Sequence, residues 1–164
     1  MKTFKQFLDE SSLSRVVSKS KKGGTAILSG SRADKSPKEN KARAKQLDKD
    51  IRGNGLGGAT KATGRYTEKD DETGKETKVK ERSHIVSSGK KGKRKFKKAI
   101  KSLGKKYGQD SVLIQKKKGT AGLTATRKGG LGDKKSVSIG KMRPGRPDKE
   151  GDTTVKKKPL SYVK

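Results

Sequence analysis

The chain has no cysteine, no tryptophan and a single histidine, His84. Without cysteine there is neither a disulfide framework nor thiolate chemistry. One histidine cannot form a histidine-cluster metal site within one chain, so no metal and no cofactor is expected. Aromatic residues are only 4% of the sequence. That is too few for the stacking platforms on which single-strand binders lay successive bases. No apolar run reaches the length of a membrane span. Nor does any long helix oppose a strong apolar face to a cationic one, so a membrane partner is not expected. The residues after Met1 lack the apolar core of a secretory signal. Leu, Ile, Val and Phe together make only 27 of 164 residues, which excludes a large core.

What is abundant is positive charge. Lys and Arg number 46 against 17 Asp and Glu, a formal net charge of +29. A chain this basic repels itself unless an anion screens it. Nucleic acid is the natural partner, because each phosphate contact releases condensed counterions whatever the base sequence. Isolated aromatics and the absence of zinc-finger or basic-zipper signatures point to non-specific contact with duplex DNA.

Along the chain, residues 2–19 read as an amphipathic helix with Phe4, Phe7, Leu8, Val16 and Val17 near one face. A basic linker follows to Gly24. Thr25–Ser29 is apolar and bounded by Gly24 and Gly30, which predicts a buried strand. Ser36-Pro37-Lys38-Glu39 is a capping box with proline at the first helical position. Its helix carries Ala44, Leu47 and Ile51 and stops at Gly53-Asn54-Gly55. Residues 56–66 read as extended, 68–82 as an exposed hairpin loop and 80–87 as a strand. From Lys90 to Lys106 there are ten basic residues and no acid, yet Phe96, Ala99, Ile100, Leu103 and Tyr107 keep helical spacing. Ser111–Gln115 and Thr120–Thr126 read as paired strands, with a further short strand at Ser136–Ile139.

The fold class is therefore α+β: a small mixed sheet with two or three helices, flanked by a cleavable N-terminal helix and a disordered basic C-terminal tail. The expected divisions are a propeptide at 1–10, a basic linker at 11–24, a DNA-associated domain at 25–140 and a flexible tail at 141–164.

Met1-Lys-Thr-Phe-Lys-Gln-Phe-Leu-Asp-Glu10 resembles the capsid-targeting peptide that opens internal head proteins of T-even-like bacteriophages. The resemblance implies docking into the prohead core and cleavage by the prohead protease between Glu10 and Ser11, with Leu8 as the aliphatic recognition residue. A second resemblance joins Ser31-Arg32, Ser36-Pro-Lys-Glu-Asn40, Gly55-x-Gly57, Gly64-Arg-Tyr66, Glu81-Arg-Ser83 and Tyr107-Gly-Gln-Asp-Ser111. Over about residues 25–126 these pieces are similar to a poorly characterised domain family of bacteria and tailed phages. No established activity comes with it.

The candidate DNA-contacting residues are Lys93, Arg94, Lys97, Lys98, Lys101 and Lys105, with Lys156, Lys157 and Lys158 as a mobile second contact. A solubilising surface normally mixes signs, and this run does not. The expected function is an internal head protein, packaged with DNA inside the capsid and ejected with it into the host cytoplasm to meet a host protein. The alternatives are a minor structural protein retained in the particle, or an injected enzyme such as a nuclease. An enzymatic site would need Arg32, Glu39, Arg82 and His84 to converge, which requires the strands at 25–29 and 80–87 to be neighbours. No catalytic residue is assigned. The acidic cluster Asp70-Asp71-Glu72 lies in the expected loop, and metal-dependent nucleases usually need several convergent carboxylates.

Overall fold

The computed structural model describes residues 15–69, 72–117, 120–144, 152–155 and 158–163. Its central element is a sheet closed on itself. The strands are β1 (Thr25–Ser29), β2 (Gly57–Lys69), β3 (Glu76–Ser87), β4 (Ser111–Gln115), β5 (Ala121–Ala125), β6 (Gly130–Asp133), β7 (Ser136–Pro144), β8 (Asp152–Val155) and β9 (Lys158–Val163). Around the barrel the order is β1-β3-β2-β8-β9-β7-β5-β4, and β4 returns to β1. Every one of these pairings is antiparallel. Closure leaves these eight strands without an open sheet edge, the usual liability of a small antiparallel sheet.

Three helices accompany the barrel: α1 over 15–22, α2 (Pro37–Gly53) and α3 (Lys93–Lys106). The α+β expectation holds. So does the capping box: the Ser36 hydroxyl accepts from the Glu39 amide, and the Glu39 carboxylate accepts from the Ser36 amide. Gly55, just past the helix stop, takes a φ of 65° that other residues avoid.

Strand alternation divides the apolar residues between two faces. Ala26, Leu28, Val86 and Val112 point outward, where Leu47 and Ile51 of α2 and Phe96, Ile100 and Leu103 of α3 cover them. This is the main core, and both helices contribute the stripe their sequences promised. Ile85 and Ala62 point inward and meet Val155 of β8 and Val16 of α1, with Ile27 alongside. Close approach of α3 to the sheet depends on Gly104, whose hydrogen stands where a Cβ would lie 2.5 Å from Val112 Cγ1.

Three expectations need correction. Residues 141–164 are not simply a tail: they supply the end of β7, and β8 and β9, which close the barrel between β2 and β7. The β-branched run Thr153-Thr154-Val155 and the sequence Leu160-Ser161-Tyr162-Val163 form these strands, and the surrounding lysines and prolines masked that signal. Residues 68–82 are mostly strand, because β2 runs to Lys69 and β3 starts at Glu76, in register from Lys69↔Glu76 through Thr60↔Ile85. Charged residues persist there because the first half of β3 is mostly exposed. Lastly, the linker expected at 11–24 contains α1, which overlaps the helix expected over 2–19 and is anchored by Val16 and Ser20, one turn apart and both buried. Residues 1–14 lie outside the described part.

Candidate functional site

The short pieces quoted above fall into two groups once folded. The first group clasps the ends of helices. Asn40 accepts from the Arg32 amide at 2.9 Å and donates to the Arg32 and Lys35 carbonyls. Arg32 donates to the Gly108 carbonyl, and Gln109 accepts from the Ser29 amide at 3.0 Å. Arg43 donates to the carbonyls of Gly30 and Tyr107 and stacks 5.4 Å from the Tyr107 ring centre. The Tyr107 hydroxyl donates to Asp50 at 2.7 Å, and Lys106 reaches the same carboxylate oxygen. The Lys106 and Tyr107 contacts hold Asp50 below the usual carboxylate range. Burial, then the Asp50 bond, keeps Tyr107 protonated well beyond its ordinary range. These residues tie β1, α2 and the end of α3 together, which is a structural role.

The second group is different. Gly64-Arg-Tyr66 and Glu81-Arg-Ser83 lie opposite one another on the β2–β3 ladder, with Gly64↔Glu81 and Ala62↔Ser83 in register. By alternation with Ile85, both Ser83 and Glu81 point inward. Gly64 has no side chain to fill the space between them: a Cβ there would stand 3.2 Å from Ser83 Oγ and 3.6 Å from Glu81 Cγ. Ser83 is buried and Glu81 half-buried. The result is a notch with one carboxylate, one hydroxyl and an apolar neighbourhood of Ala62, Ile85, Val16 and Val155.

Glu81, like other described carboxylates, has a partner within the fold. Asp34 pairs with Arg32, Asp48 with Arg52, Asp50 with Lys106, Asp110 with Arg127, and Glu39 caps α2. Glu72, Glu76 and Asp133 are exposed. Only Glu81 is half-buried on the inner face of a long strand.

The residues expected for an enzymatic site do not converge. β1 and β3 are indeed neighbours, with Leu28↔His84 in register. But Glu39 is committed to its cap, Arg32 to Asp34 and Gly108, and Arg82 is exposed. His84 points outward, opposite in sense to Glu81, and is only 3% exposed. Its Nδ1 has no hydrogen-bond partner among the described residues. Burial holds its pKa below the ordinary value of 6.5; Lys61 adds to the lowering and Asp48 of α2 opposes it.

That shift has a measurable consequence. The unfolded chain protonates His84 near its ordinary pKa, whereas the folded one resists, so the unfolded state binds more protons below that value. The stability due to neutral His84 is complete above pH 6.5 and is lost as pH falls below it. Urea midpoints should therefore drop between about pH 7 and pH 5, and His84→Met should flatten that segment. The lowered carboxylates Asp34, Glu39 and Asp50 act at more acid pH, below ordinary values of 3.8 to 4.5. An unchanged slope in His84→Met would assign the effect elsewhere.

The six candidate DNA-contacting residues of α3 divide by helical angle. Arg94, Lys98, Lys101 and Lys105 recur at i, i+4, i+7 and i+11, a stripe opposite Phe96, Ile100 and Leu103. Lys93 and Lys97 flank that stripe and turn toward a cleft beside β4, β5 and β7. Lys156 and Lys157 lie outside the described residues, as do Leu8, Glu10 and Ser11; Lys158 opens β9 opposite Val155.

A closed antiparallel barrel with its core under two outer helices, an inward carboxylate notch and a basic outer helix defines a small α+β binding or catalytic domain. The family model of the S-adenosylmethionine lyase family matches residues 26–163, and the chain belongs to that family. The match runs from β1 to the end of β9, so it takes in the strands that the sequence reading assigned to a tail. A search of the curated proteins found no match.

Sequence reasoning placed Glu81 in a family-like motif but gave it no role. The signal available was its position: a lone acid between Lys80 and Arg82, four residues before Ile85 on the same strand face.

Proposed function

We propose that this protein binds S-adenosylmethionine at the Glu81 notch and cleaves it as a lyase. Membership of the family named for that activity, over the whole barrel, is the observation that carries the reading. The chemistry suits the notch. The substrate's sulfonium is a fixed cation, and its departing thioether is neutral, so the leaving group requires no proton. A lyase also uses neither water nor an oxidant. Sulfur keeps the electron pair of the broken C–S bond, and the carbon it leaves is satisfied within the same substrate, by bonding to the substrate's own carboxylate or by losing a neighbouring proton; what the site supplies is a negative charge that binds and orients the sulfonium in an apolar surround. Glu81 supplies the first, and Ala62, Ile85, Val16 and Val155 the second. The full chain, incubated with S-adenosylmethionine and followed by chromatography, should consume it and release a neutral thioether nucleoside. Intact substrate after prolonged incubation overturns the reading.

The second reading concerns delivery. The decapeptide Met1–Glu10 and the outward stripe of α3 favour an internal head protein that travels with packaged DNA and enters the host with it. The enzyme then arrives early and acts on a host metabolite, which makes the lyase, rather than a nuclease, the form of the injected-enzyme alternative. Mass spectrometry of purified particles should find a mature N-terminus at Ser11. An intact Met1 in particles removes the cleavage, and absence from particles removes the delivery reading.

A further inference from the structure

A second concave surface, away from the notch, gathers like charge. A cleft of about 570 Å³ opens between the N-terminal half of α3 and the outer face of β4, β5 and β7. Lys22, Lys91, Lys93, Lys97, Lys116 and Lys117 line it, and no acidic residue does among the described ones. Its floor is made of small polar residues: Gly122 and Thr124 of β5 lie in register with Ser138 and Ser136 of β7. Phe96 and Ile114 add an apolar wall. α3 begins beside it at Gly92, with no side-chain cap and no acid in its first turn.

A cationic sulfonium has no reason to enter this cleft, so it is a second site. Six lysines around one hollow, with hydroxyls beneath, suit a chain of phosphates. The N-terminal dipole of a fourteen-residue helix adds in the same sense. The shape selects the ligand further. Duplex DNA presents a long convex backbone, which the outward stripe of α3 can meet. A hollow of this volume is in the range of small-molecule sites, and its apolar wall offers a surface for a planar base.

We propose that the cleft binds a nucleoside polyphosphate, its phosphates held by Lys93, Lys97 and the facing lysines and its base against Phe96 and Ile114. The site is independent of the lyase reading: its failure would leave S-adenosylmethionine cleavage untouched, and the reverse.

The test is calorimetric titration of the full chain with adenosine triphosphate, inorganic triphosphate and a short random duplex. Adenosine triphosphate should bind more tightly than inorganic triphosphate. Lys93→Gln and Lys97→Gln should each weaken it by about tenfold. Arg94→Gln and Lys98→Gln, on the outward stripe, should leave it within about twofold. Ser138→Leu adds bulk to the floor without changing charge, and should also abolish nucleotide binding while duplex binding persists. Equal affinity for the two triphosphates overturns the nucleoside assignment. An unaltered nucleotide affinity in Ser138→Leu, with folding verified by circular dichroism, overturns the site itself.

Discussion

Glu81→Gln should remove S-adenosylmethionine cleavage while leaving the fold in place. The substitution is nearly isosteric and deletes only the charge. A pair of unit charges about 4 Å apart at an effective dielectric near 20 interacts by about 4 kcal/mol, roughly three powers of ten. Partial exposure of Glu81 reduces this, so the expected loss in kcat/KM is about 10²- to 10³-fold. Little else in this chain compensates, because 46 basic residues repel the sulfonium. If the carboxylate acts chiefly as the reaction proceeds, kcat falls with KM nearly constant; if it acts as an anchor, KM rises instead. Gly64→Ala is the companion variant. It retains the charge but places a methyl 3.2 Å from Ser83 Oγ, and should lower activity by obstructing the notch. Full activity in Glu81→Gln would end the assignment of this site.

The second large effect is on DNA. If Arg94, Lys98, Lys101 and Lys105 each contact a phosphate, as proposed, the expected slope in log affinity against log salt is about −3.6. From roughly 50 to 200 mM salt, that slope alone weakens duplex binding about 150-fold. Replacing the four by glutamine should make the measured slope less negative by about that amount, and equally for unrelated sequences. Fluorescence anisotropy with two random duplexes at several salt concentrations reads both quantities. A flat salt response in the native protein would remove the DNA reading; an effect confined to one duplex would reveal base contacts.

The helices were legible because each carries its own signals. Ser36 through Glu39 define a start, Gly53 through Gly55 a stop, and Phe96, Ile100 and Leu103 a stripe. β1, β4 and β5 were legible because they are short apolar runs beside glycine or turn residues. The closing strands were not. β8 and β9 are short, separated by lysines, and gain their partners from β2 and β7 far away in sequence. Their pattern is also obscured by a net positive charge that describes solvation, not pairing. The candidate site was hidden for a related reason. Glu81 and Gly64 meet only through the β2–β3 register, and that register depends on a hairpin whose arms look like charged loop. By contrast, His84 attracted notice as the only histidine, yet its outward burial under α2 separates it from the inward notch.

The placement of β8 and β9 also bears on how the molecule is made. β2 and β8 adjoin although Thr63 and Thr154 are 91 positions apart, and β1 adjoins β4 across a comparable interval. The β2–β3 hairpin and the β4–β5 hairpin involve near neighbours and can assemble early, whereas the ring is completed by its most distant partners. During translation the sheet therefore stays open, with two unsatisfied edges, until the strands at 152–163 emerge. Lys61, Arg65 and Lys69 on β2 and Lys141 and Arg143 on β7 place like charge on the two edges that wait for closure, a repulsion that opposes pairing of one nascent copy with the next.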